Sequence, residues 1–146
     1  PGARMRSSCR VATHAHRLTT ADWLMSEVLV LHGPIAPGEL LRLARETFED
    51  MVKYVVDVER GVIAIGGQLH ADAEHVLLEA GSRPGDLWGA NYLLGRGRED
   101  CIEYTSLINI RPARGNAGME IQDPAIRERI LELTAALVGI GDESAP

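Results

Sequence analysis

Between Gly66 and Trp88 the chain reads Gly-Gly-Gln-Leu-His-Ala-Asp-Ala-Glu-His-Val-Leu-Leu-Glu-Ala-Gly-Ser-Arg-Pro-Gly-Asp-Leu-Trp, and side chains capable of chemistry are densest here. On a helix, His70 and Glu74 lie on one flank, and Asp72, His75 and Glu79 lie on the other. Imidazole suits zinc, iron or nickel, and carboxylate suits magnesium, manganese or calcium, so the set offers ligands for a divalent metal ion. The expected ligands are His70, Asp72 and Glu74, joined by Asp57 from the preceding strand, with Glu59 and Asp86 near enough in sequence to contribute. No HExxH, CxxC or EF-hand spacing is present, and the same residues equally suit a solvated helix face.

A second candidate is Arg111-Pro-Ala-Arg-Gly-Asn-Ala-Gly118. Two guanidinium groups beside glycine-rich backbone can hold a phosphate or carboxylate through paired N–H donors, which makes Arg111, Arg114 and Asn116 the expected ligand-binding residues. The alternative is structural, with Arg111 paired to Glu103 or Glu120. No Walker lysine follows, and Gly95-x-Gly97 lacks the third glycine of a dinucleotide motif. Ser82 and Ser106 have no G-x-S-x-G setting, so a serine nucleophile is not indicated. Trp88 and Tyr92 read as core or interface aromatics.

The elements that must position these groups follow from apolar periodicity. Residues 27–32 are a short apolar run suited to a buried strand, ended by Gly33-Pro34. Pro37 opens a helix through residue 51, with Leu40, Leu43, Ala44, Phe48 and Met51 at helical spacing. Residues 53–59 and 62–66 form a hairpin, which sets Asp57 and Glu59 on one strand face. A second helix spans residues 69–80, with Leu69, Ala73, Val76, Leu77 and Ala80 as its apolar stripe and Gly81 as its stop. Residues 86–92 are a strand, and residues 101–110 are expected to be the longest one. Asp123-Pro124 starts a last helix, with Ile126, Ile130, Leu133 and Leu137 repeating as far as Gly139.

The order βαββαββα implies an α+β fold with a mixed or antiparallel sheet, and its β-α-β-β-α-β part suits a ferredoxin-like core. A chain of 146 residues suits one domain, expected over residues 25–139. Residues 1–24 lack apolar periodicity and read as a disordered or non-native extension ahead of Met25; residues 140–146 read as a frayed tail. Four arginines against Asp22 give residues 1–24 a charge of +3, so a net charge of -6 leaves the body at -9. That balance argues against a nucleic-acid-binding surface, which needs clustered cations. No apolar run approaches the ~20 residues of a membrane-spanning helix. Cys9 and Cys101 are not placed to pair, so a reducing, cytoplasmic setting is expected.

Several stretches in order, Asp57-Val-Glu-Arg-Gly, Gly66-Gly-Gln-Leu-His-Ala-Asp-Ala-Glu, Leu77-Leu-Glu-Ala-Gly-Ser, Asp86-Leu-Trp-Gly, Ser106-Leu-Ile-Asn-Ile-Arg-Pro and Gly115-Asn, resemble a family of small bacterial and archaeal proteins known only as a domain of unknown function. The resemblance covers roughly residues 27–138 and implies a compact domain, without an activity, a cofactor or catalytic residues. The functional expectation therefore rests on the residues themselves: a domain, self-associating as a homodimer, that binds a metal ion or a small anion. A metal-dependent hydrolase and a structural or interaction protein are the alternatives.

Overall fold

Alternation along the strands decides which side chains meet which helix. The computed structural model describes residues 26–141; the extension expected over residues 1–24 and the end of the expected tail, residues 142–146, lie outside the described residues. In chain order come β1 (Val28–Leu31), α1 (Pro37–Glu46), β2 (Met51–Asp57), β3 (Val62–Gly66), α2 (His70–Glu79), β4 (Leu87–Leu93), β5 (Ile102–Glu103) and α3 (Pro124–Leu137). The five strands form one antiparallel sheet in the order β1-β3-β2-β4-β5, so the α+β class holds.

Leu29, Leu31, Val52, Tyr54, Val56, Ile63, Ile65, Ala90 and Tyr92 project to one face, where Leu40, Leu43 and Ala44 of α1 and Ile130, Leu133 and Leu137 of α3 cover them. Val28, Val30, Val55, Val62, Ala64 and Leu87 project to the other, under Ala73 and Leu77 of α2. Each fully buried leucine or isoleucine contributes roughly 1.5–3 kcal/mol, so both layers matter to stability. The β-α-β-β-α-β order is present, but β4 pairs with β2 and the helices divide between the two faces, where a ferredoxin-like core would carry both on one.

Capping sets the helix starts. Asp123 Oδ1 accepts from Ala125 N at 2.9 Å with Pro124 at the first helical position, as the sequence predicts. Asp72 Oδ2 accepts from Leu69 N at 3.1 Å and fixes the entry to α2. The first helix stops at Glu46 instead of running to Met51, because Glu49 takes a left-handed conformation (φ 74°) and Met51 already pairs with Leu93 in the sheet. The strand expected over residues 101–110 shrinks to Ile102–Glu103 and gives way to a short 3-10 helix at Leu107–Asn109. Ser106 Oγ caps that turn by accepting from Ile108 N at 3.2 Å, a local bond that competes with the sheet ladder.

Candidate functional site

The four expected metal ligands do not converge. Asp57 is fully buried at the end of β2, where Oδ1 accepts from the backbone N–H groups of Glu59 (3.0 Å) and Arg60 (2.8 Å) and Oδ2 accepts from Ser82 Oγ (2.5 Å). It is the anchor of the β2–β3 turn, and Glu59 is exposed beyond the strand's end instead of sharing its face. Asp72 is committed to the α2 entry. His70 takes the buried position that the sequence pattern gave to Leu69, which is 58% exposed; Ala73 and Leu77 are buried as the pattern predicts. A backbone carbonyl can only accept, so His70 Nε2–H donates to Ala90 O at 2.8 Å. Burial pushes the imidazole below its ordinary pKa, opposed by the Ala90 carbonyl that favours its charged form. Glu74 faces Arg111 at 3.8 Å, and His75 pairs with Glu79 in the open. Among the described residues no three His, Cys, Asp or Glu side chains are grouped to hold a metal ion.

The arginine loop is built by two asparagines. Asn109 is fully buried beside β4, accepting from Gly89 N (2.8 Å) and donating to Gly89 O (3.0 Å) and Met119 O (3.1 Å). Asn116 donates to the carbonyls of Asn109, Gly118 and Glu120 at 2.9–3.1 Å and accepts from Gln122 N at 2.8 Å. Its carboxamide is thus spent on the backbone of the loop. Between them Arg111 and Asn116 exchange backbone bonds of 2.6 and 3.0 Å, closing a tight loop through the 3-10 turn Pro112–Arg114 and Gly115 in the left-handed region (φ 81°). Neither structural partner expected for Arg111 is used, since Glu103 binds Asn91 and Glu120 pairs with Arg127.

This loop holds its two guanidinium groups differently. Arg114 is exposed and donates from Nη1 to Gly85 O at 2.9 Å. Arg111 lies with Cζ 4.9 Å from the centroid of the Trp88 ring, at cation–π distance. Burial lowers the Arg111 pKa, Glu74 opposes that shift and Arg114 adds to it. Arg111 Nη1 is buried without a hydrogen-bond partner, and so is Trp88 Nε1.

Above the indole is an open cleft of about 420 Å³, lined by Trp88, Arg114, Gly115, Asn116, Gln122, Asp123 and Ile126. It lies where the arginine loop meets the start of α3. The family model described as Protein of unknown function (DUF5674) matches residues 29–137. The chain belongs to this family. The DUF5674 match runs from β1 to the last residue of α3, so the arginine loop and every cleft residue fall inside it. No curated protein and no solved structure matches the chain.

Two features of this DUF5674 domain were out of reach of the sequence pattern. Trp88 reads as a core aromatic, which it is at 2% exposure, and nothing local reveals that its N–H ends without an acceptor. Asn109 reads as one more alternating residue of a strand. No helix among the described residues is long and apolar enough to cross a membrane.

Proposed function

We propose that the protein binds a small anionic ligand in the cleft between the arginine loop and the start of α3. What carries the reading is that one cleft is lined both by Trp88, whose buried indole N–H has no partner, and by the exposed guanidinium of Arg114. A buried donor without an acceptor costs about 1–3 kcal/mol, and a carboxylate or phosphate oxygen would satisfy it. The cleft volume of about 420 Å³ lies in the ordinary range for small-molecule sites. Arg111, stacked on the Trp88 ring, adds positive charge beside it.

The chain has two tryptophans, Trp23 and Trp88, so a Trp23→Phe background leaves Trp88 as the reporter. Titrating acetate and inorganic phosphate at constant ionic strength should change its fluorescence saturably. Arg114→Ala should weaken that response several-fold, because it removes the exposed charged donor while leaving the core intact. A response no different from that of chloride would overturn the reading.

A further inference from the structure

The cleft carries opposite charges at its two sides, and this narrows the ligand beyond its anionic group. Arg114 belongs to the loop side and Asp123 to the helix side, and both line the same space. Asp123 commits Oδ1 to Ala125 N, while Oδ2 has no hydrogen bond among the described residues. Arg114 commits Nη1 to Gly85 O and forms no ion pair among the described residues. A cation and a carboxylate on one rim, each with hydrogen-bonding capacity left over, do not favour a ligand of a single sign. A phosphate cluster seated beside Arg114 would meet the Asp123 carboxylate, and a simple amine beside Asp123 would meet Arg114. Ile126 and Trp88 line the same space, so it accepts a short apolar spacer.

We infer that the cleft takes a small amino carboxylate, with its carboxylate at Arg114 beside Trp88 and its ammonium at Asp123. This rests on the proposed anion site and adds the second, cationic end of the ligand. Both rim groups are exposed, so the attraction is screened by salt, and discrimination comes from having the two charges at matched separation on one molecule.

The test uses the same Trp23→Phe protein with four probes: acetate, n-propylamine, β-alanine and 4-aminobutyrate. One of the two amino carboxylates is expected to bind at least about five-fold more tightly than acetate, a preference that corresponds to roughly one properly placed charged contact. Asp123→Asn keeps an effective helix cap, so the fold is retained. In that variant acetate binding should persist while the preference for the amino carboxylate disappears. Acetate binding with no such preference overturns this inference and leaves the anion site standing, as does a preference that Asp123→Asn leaves unchanged. No binding by any probe overturns both.

Discussion

The carboxamide of Asn109 pairs with both backbone groups of Gly89, accepting from its N–H at 2.8 Å and donating to its carbonyl at 3.0 Å. The side chain thereby stands in for a missing strand at the edge of β4, because β5 pairs with β4 only at Asn91 and Tyr92. Removing it leaves a buried donor and a buried acceptor on Gly89 unpaired. Asn109→Ala is expected to lower stability by about 2–6 kcal/mol, given roughly 1–3 kcal/mol for each orphaned group. Urea denaturation measures this, and a loss below about 0.5 kcal/mol would show that water replaces the carboxamide.

Gly89 is fixed by the same junction from the other side. A Cβ there would lie 2.7 Å from Ser106 Cβ and 3.1 Å from His70 Cδ2, in a region without room to relax. Gly89→Ala is therefore expected to destabilise the fold by about 1–3 kcal/mol through overpacking. Thermal unfolding would detect it, and a variant as stable as the parent would mean that α2 yields to the methyl group.

These two residues also explain what the sequence could and could not convey. The β2–β3 hairpin, α2 and the Asp123-Pro124 start of α3 were legible because their signals are local: alternating Val and Ile, apolar spacing, a cap beside a proline. The stretch at residues 101–110 alternates like a strand, yet its fate depends on a carboxamide bonding a glycine 20 residues away. His70 illustrates the same limit. A polar ring enters the core stripe because Ala90 O, supplied by β4, is there to receive its N–H. For the site, the arginine loop could be read from its glycines and guanidinium groups, while the carboxylates and histidine expected to gather had nearer partners that only the folded chain provides.

His70 should make stability depend on pH. Its folded-state pKa is lowered by burial, with Lys53 acting in the same direction, while the unfolded chain keeps the ordinary value of about 6.5. As pH falls below that value the unfolded state takes up the proton first, so the contribution is full above about pH 6.5 and is lost progressively below it. His70→Gln retains an N–H for Ala90 O and cannot titrate. Urea midpoints at about pH 7.5 and 5.5 should differ more in the parent than in the variant; equal slopes would mean that the ring accepts a proton without leaving its partner.

The buried Asp57 carboxylate has a structural task that can be separated from metal binding. Ser82 Oγ donates to it at 2.5 Å, and Arg60 Nη1 reaches the same serine at 3.1 Å. Ser82→Ala should cost about 1.5–3 kcal/mol, the range for a hydrogen bond to a charged group. A chelator should leave the melting temperature of the parent unchanged. Chelator-sensitive melting that Asp57→Asn abolishes would return Asp57 to the role of a metal ligand.

Arg111 is the residue whose expected behaviour separates binding from folding most sharply. Its side chain is mostly buried, its nearest carboxylate oxygen on Glu74 is 3.8 Å away, and Nη1 has no partner, so desolvation is poorly compensated. Stacking on Trp88 returns roughly 0.5–2 kcal/mol, a gain of the same order as the cost of one unsatisfied donor. Arg111→Met preserves much of the apolar stem over the indole while removing the charge. Stability should therefore change by less than about 1 kcal/mol, whereas acetate binding reported by Trp88 fluorescence should weaken several-fold. A strongly destabilised variant would instead make the Arg111–Glu74 contact a fastener between the arginine loop and α2, and would remove Arg111 from the binding reading.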